Sequence, residues 1–276
     1  MKRTVCLVLI FLLAQLLSSL AVLFFFNLPA LLQDGHLEMG VLAESPTAIS
    51  VSLILNAVVM WAVMTLLRWT DRRSFRWQGY GWKLYVIVLL GMVPVIFLVN
   101  LLLESLALED WNAAVFGRMV RHPLGVLALV LVGPFMEELV FRMGIQRHLM
   151  RHRMHPWVAI AVSSVIFGVV HGNPAQVPGA ILFGVVLGWL YWRSGTIWMS
   201  IAAHVFNNLV GVVMIWLTGT DSTLLDLCGG AGTAVLCALV ALLGVYAVYR
   251  YLDGCFPRQM QSPFIGKGTD SGVARS

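Results

Sequence analysis

Apolar residues run along most of this chain in blocks of about twenty, separated by short polar breaks. A helix that spans a bilayer needs roughly 20 mainly apolar residues. On that criterion the pattern predicts eight spans, at about 4–26, 48–67, 84–103, 123–146, 156–172, 177–192, 196–217 and 230–251. The expected fold class is therefore all-α, a polytopic transmembrane helical bundle of about eight spans. Lys2 and Arg3 give the first block a superficial likeness to a signal peptide. Its apolar run exceeds the usual ~7–15 residues and no A-x-A cleavage site follows, so a retained first helix is expected.

The polar breaks are short. The longest connections lie at about 27–47, 68–83 and 104–122, and none is long enough to hold a soluble domain. The third contains "WNAAVFGRMVRH", read as an amphipathic connector. In the sixth span Gly184 and Gly188 stand four residues apart, a spacing that lets two helices approach closely. No internal repeat is evident, so the inverted-repeat pattern of many transporters finds no support. Residues 1–120 hold helices one to three with their loops. Residues 121–220 hold the polar motifs discussed below. Residues 221–276 hold the last helix and a Gly/Ser-rich tail, from 257 onward, expected to be mobile and cytoplasmic.

Composition agrees with a membrane protein. Hydrophobic residues make up 59% of the chain, charged residues only 11%, and mean hydropathy is +0.86. Soluble domains carry about a quarter charged residues. The four cysteines form no CxxC pair and suggest neither a disulfide framework nor a zinc finger. A net charge of +5 could point to nucleic acid, but its placement argues otherwise. With eight spans, one side collects fifteen basic residues, among them Lys2, Arg3, Arg72, Arg147, Arg151 and Arg193, against Asp71, Asp253 and Asp270. The other side is acidic, with only Arg118 and Arg121 as bases. The basic side is expected to be cytoplasmic, with both termini on it, and no nucleic-acid partner is expected. The same rule reads His148, His152 and His155, with the arginines around them, as a positive cytoplasmic loop rather than a metal site.

Three charges fall inside a span: Glu137, Glu138 and Arg142, in "GPFMEELVFRMG". Each costs about 2.5–3.5 kcal/mol at a helix centre on insertion scales. Glu138 and Arg142 are four residues apart with the acid first, the favourable order for an ion pair on one helical face. Glu137 lies about 100° away around the helix and has no partner on its own helix. Pro134 removes a backbone donor just upstream and can kink the helix. Glu137 is thus expected to face a wet interior. Two other spans supply groups that can meet it: His171 in "FGVVHGN", one turn after Phe167, and His204 with Asn208 in "HVFNN", with Asn207 a second candidate for that face. At ~1.5 Å per residue, Glu137 and His204 lie about 15 and 12 Å deep from the basic side, and His171 about 23 Å. Asn56 and Asn100 have no such company and read as helix-packing residues.

A carboxylate and two imidazoles around a wet cavity can activate water by two routes. Glu137, His171 and His204 could hold a divalent metal, zinc being the first candidate, whose bound water is acidified toward ~7. Alternatively Glu137 acts directly as a general base, with His204 and Asn208 stabilising an oxyanion. The zinc motif HExxH is absent. Either route hydrolyses a polarised carbonyl. Two other functions use the same residues: a proton-coupled transporter with Glu137 and the histidines as a relay, and a non-catalytic membrane scaffold or immunity protein.

"EELVFR" (137–142), "FGVVH" (167–171) and "HVFNN" (204–208) resemble the EExxxR, FxxxH and HxxxN/D motifs of the CPBP group of intramembrane proteases, also called Abi, which includes the CAAX prenyl endopeptidases. The motifs occur in order on separate spans, and the resemblance covers roughly residues 120–220. It implies a CAAX-protease-like catalytic core at 121–220 and an intramembrane endopeptidase, a family commonly labelled metalloprotease. It implies that Glu137 activates water with His171 helping to hold it, that His204 and Asn208 serve the oxyanion, and that Glu138 with Arg142 is a supporting pair. The substrate would be a membrane-associated peptide or protein, with lipid as the other partner. Eukaryotic members cut a prenylated C-terminal tripeptide. Bacterial relatives are associated with peptide maturation and bacteriocin self-immunity, and the short loops here resemble theirs, which implies the plasma (inner) membrane.

Overall fold

The computed structural model describes residues 2–219 and 223–256. Eight main helices follow one another: α1 (Lys2–Asp34), α2 (Pro46–Leu66), α3 (Trp82–Leu106), α4 (Pro123–Arg151), α5 (Pro156–Val169), α6 (Val177–Ser194), α7 (Ile197–Thr218) and α8 (Ala231–Cys255). Among the described residues there is no strand, and the all-α bundle stands. Seven of the eight are long and apolar enough to cross a membrane. The exception is α5, the expected fifth span, which has 14 residues. The eight-span count is corrected to that extent. The tail expected to be mobile, and Asp221, lie outside the described residues.

Local chemistry sets the boundaries. Pro46 opens α2, and the Ser45 hydroxyl accepts the Ala48 N–H at 3.2 Å, satisfying one of the free donors of a first turn. Pro123 and Pro156 open α4 and α5, where a missing N–H costs nothing. Gly195 closes α6 with φ +69°, a left-handed geometry glycine adopts without strain, and Thr196 caps α7. In "HGNP" the chain leaves α5 through a tight turn: His171 N–H pairs with the Gly168 carbonyl, and Gly172 has φ +63°.

Neighbouring helices alternate in direction. One end of the bundle gathers the start of α1, the 68–81 loop, the ends of α4 and α6, and the end of α8. There Arg147 pairs with Asp71, the Ser74 hydroxyl meets Tyr191 at 2.8 Å, and Arg193 pairs with Asp253 at 2.8 Å. This is the basic end of the charge pattern. At the opposite end Asn173 donates to Asp110 at 2.7 Å and accepts the Trp111 N–H at 3.2 Å. The α5 helix with its turn therefore connects the two ends despite its length. The connector "WNAAVFGRMVRH" holds a short helix, Ala113–Met119.

At the centre stands α4. Half of its most apolar window is buried, against 11% for α8. Packed around it are α1, α2, α5 and α7, and the core residues Leu7, Met60, Met64, Phe141, Phe167 and Ile201 close on it. The expected glycine packing is present. A Cβ at Gly184 would come within 2.8 Å of Ser164 Cβ on α5, and one at Gly188 within 2.7 Å of Gln146 Oε1 on α4. Asn56 is buried on α2, whereas Asn100 is exposed on α3 and returns its amide to its own Ile96 carbonyl. Asn100 is therefore not a packing residue.

Candidate active site

The chain of α4 is not a plain α-helix. Two stretches, Ala128–Val132 and Leu139–Gln146, wind in π geometry on either side of Gly133–Glu138, an arrangement often found at functional sites. In the first stretch Gly133 N–H reaches back five residues to the Ala128 carbonyl. The Leu129 carbonyl would then take the N–H of residue 134, but residue 134 is proline and has none. The Asn208 side chain on α7 donates to that Leu129 oxygen at 2.8 Å. The kink expected of Pro134 thus takes the form of a π turn with one unpaired carbonyl, and Asn208 is the group that satisfies it. Its Oδ1 accepts from Asn207 at 3.1 Å.

Glu138 and Arg142 form the expected pair, with Nε to Oε2 at 3.1 Å, and both are fully buried. A buried charge pair is costly for every hydrogen-bonding group it leaves over. Arg142 Nη1 reaches Ser163 Oγ at 3.5 Å and the guanidinium lies 5.1 Å over the Phe167 ring, while its Nη2 is buried without an acceptor. The other Glu138 oxygen accepts from His204 Nδ1 at 3.0 Å. The second ring nitrogen of His204 lies 3.5 Å from Glu137 Oε2. Glu137 therefore has a partner from another helix, and one imidazole bridges the two adjacent carboxylates. The Glu137 side chain is 27% exposed, against none for Glu138. Of the two, only Glu137 is open to an incoming molecule.

His171 stands apart. It lies in the turn beyond the end of α5 rather than within a span, and its Nδ1 is 2.7 Å from the Phe167 carbonyl. Its route to the others is through Phe167, whose ring meets His171 edge-on at 4.8 Å, His204 at 5.8 Å and Phe141 at 5.0 Å. Phe167 and Ser163 were not expected as site residues. Their signal was the repeat at every fourth position, Ser163, Phe167 and His171, which places all three on one helical face.

The residues considered for a metal do not form a ligand set. Both ring nitrogens of His204 face carboxylates, and among the described residues no three His, Cys, Asp or Glu side chains converge in a way that suits an ion.

Residues 120–210 match the Rce1-like family. Its description is type II CAAX prenyl endopeptidase Rce1-like. "Putative membrane peptidase YdiL" of Bacillus subtilis (strain 168) is 35% identical over 92 residues, which cover 33% of this chain and 37% of that protein. "Uncharacterized protein YyaK" of the same organism is 24% identical over 193 residues, 63% of each chain. The chain thus spans less than two thirds of the length of either curated relative. No solved structure matches. The Rce1-like segment coincides with the helices that build the cluster, and α1 to α3 lie outside it.

Proposed function

We propose that this protein is an intramembrane endopeptidase that cleaves a membrane-associated peptide or protein, with Glu137 as the general base. The observation that carries the proposal is the asymmetry of the two carboxylates. Glu138 is spent on Arg142 and on fixing one nitrogen of His204, while Glu137 is partly open and faces the other nitrogen. Two carboxylates, one guanidinium and one imidazole are neutral in total when Glu137 and His204 together hold one proton beyond the neutral imidazole. The Rce1-like match and the peptidase name of a relative support the reaction class.

In this reading a water beside Glu137 attacks the carbonyl carbon of the scissile peptide. Its proton passes to Glu137 as the new C–O bond forms. The negative charge that gathers on the carbonyl oxygen is met by the proton on His204 Nε2, a fixed donor of the kind that lowers such barriers most. The C–N bond then breaks, and Glu137 returns its proton to the departing amine. Asn208 acts by holding α7 against the π turn of α4, and so sets the His204–Glu137 distance. His171 acts through Phe167, which backs both His204 and Arg142. The membrane would be the plasma (inner) membrane of a bacterium, with both termini cytoplasmic.

Mass spectrometry of membrane-associated peptides, from cells carrying the protein or its Glu137→Gln variant, tests the proposal. Peptides with new termini are expected only with the unaltered protein. A Glu137→Gln variant that folds and yields the same products would falsify the base assignment.

A further inference from the structure

The surroundings of Glu137 differ between the two ends of the bundle. Toward the basic end the way is shut. Every residue of α4 from Leu139 to Arg147 is buried. Beyond them the 68–81 loop is fastened to the turn between α6 and α7. The Ser74 carbonyl accepts the Ile197 N–H at 2.9 Å, the Phe75 carbonyl accepts Trp198 Nε1 at 3.0 Å, and the Tyr80 hydroxyl donates to the Ser194 carbonyl at 2.9 Å. Asp71 with Arg147, and Ser74 with Tyr191, hold the same loop to α4 and α6.

Toward the opposite, acidic end the surroundings are open. The Glu137 carboxylate turns back over Gly133, one helical turn nearer the start of α4: its Oε1 lies 3.9 Å from where a Gly133 Cβ would stand. One oxygen thus faces His204 and the other lies on the side of the acidic end. In that direction α7 carries Asn207, Asn208 and Gly211, all partly exposed. At three, four and seven residues after His204 they share its side of the helix. That side is turned to α4, where His204 meets the carboxylates and Asn208 the Leu129 carbonyl, so its exposure is not to lipid. A Cβ on Gly211 would meet nothing within 4 Å. Open space beside two amides and an imidazole is a polar crevice. The α5 helix, which backs the site through Phe167, ends two residues later at Val169. In the turn that follows, His171 is partly exposed and Asn173 holds Asp110 and the Trp111 N–H of the acidic-end connector. The site therefore stands about one helical turn from that end.

We infer that the Glu137 crevice is entered from the acidic, non-cytoplasmic face, and that its substrate is a membrane-anchored polypeptide cut in the segment on that side. The closed end carries the excess of basic residues, which assigns it to the cytoplasm. That a bond is cut in the crevice rests on the function proposed above; the direction of entry does not. A C-terminal tail presented at the cytoplasmic face has no path to Glu137 in this arrangement.

Cysteine accessibility tests the direction of entry without a known substrate. The full-length protein with Cys6, Cys228, Cys237 and Cys255 replaced by serine receives one of three substitutions: Gly211→Cys in the crevice, Trp111→Cys at the exposed acidic end or Arg72→Cys at the exposed basic end. Spheroplasts and inverted membrane vesicles are treated with a charged methanethiosulfonate that does not cross the bilayer. The reagent attacks a thiolate, which forms where water reaches. Gly211→Cys is expected to follow Trp111→Cys and react in spheroplasts only, while Arg72→Cys reacts in inverted vesicles only. Any reaction of Gly211→Cys in inverted vesicles, or none in either preparation, would overturn the proposal. Asn207→Cys, read in the same way, supplies a second position if Gly211→Cys lowers the thermal midpoint. New peptide termini that depend on Glu137 are expected in non-cytoplasmic segments, and termini in cytoplasmic segments would overturn the substrate assignment. Absence of any such peptide would refute the proposed function instead, with the labelling still deciding the direction of entry.

Discussion

Two helix contacts in this bundle rest on opposite chemistry. Where α8 lies on α3, the contact is apolar: Gly91 meets Val248, and Gly244 lies against Pro94. Where α7 lies on α4, the contact is polar: His204 spans Glu137 and Glu138, and Asn208 closes an unpaired carbonyl. Lipid tails are as apolar as the side chains of α8, so burying those side chains there gains little, and close packing has to do the work. The polar groups of α4 have no such alternative. In hydrocarbon each one must find a partner, and the number of arrangements that give every one a partner is small. The apolar contact therefore tolerates variation, and the polar one fixes positions to within a fraction of an ångström.

Four substitutions press on this difference. The largest effect is expected from Arg142→Met, which leaves Glu138 buried without its cation. Loss of one partner of a buried pair costs about 3–5 kcal/mol, read as a lowered thermal midpoint in detergent. Adding Glu138→Gln should recover most of that stability while activity stays low, because His204 no longer has a carboxylate to orient it. Recovery of both together would mean that the pair serves the fold alone. Asn208→Ala comes next. It frees the Leu129 carbonyl at a cost of about 1–3 kcal/mol, and the loss should show more in turnover than in substrate affinity. The smallest effect is expected from Gly91→Ala, whose Cβ would fall 2.5 Å from Val248. A cost of about 1 kcal/mol, with cleavage unchanged, is the expected result. A fall in cleavage would show that the α3–α8 contact is coupled to the site.

Much of this was legible in the chain. Runs of apolar residues have the length of a bilayer, and that alone located the helices, because a spanning helix is defined by composition over a fixed distance. Charges inside such runs are costly enough to require a use, which singled out Glu137, Glu138 and Arg142. The i to i+4 spacing predicted the ion pair, which formed as expected. What stayed hidden depended on contacts between helices. That His204 bridges both carboxylates follows from how α7 is rotated against α4, and no local spacing encodes that rotation. The π turns were hidden for a related reason: the sequence shows Pro134, but whether a missing donor bends a helix or rewinds it depends on what waits across the gap. The α5 helix was read too long because Val170 continues its apolar run past Val169, while the turn that ends it is set by Gly172, Pro174 and the grip of Asn173 on Asp110.

The π turn at Ala128–Val132 also makes the length of α4 matter in a way hydropathy does not reveal. A five-residue step carries one residue more than the α path over the same distance. Deleting one residue within that step would let the α path close with its flanks still in phase, and Glu137 would keep its bearing on His204. Deleting one in the regular turns before it would leave an equally good membrane span but swing Glu137 about 100° around the axis. The extra residue thus works like a spacer washer: it can be taken out without turning the screw, whereas the thread on either side cannot be shortened.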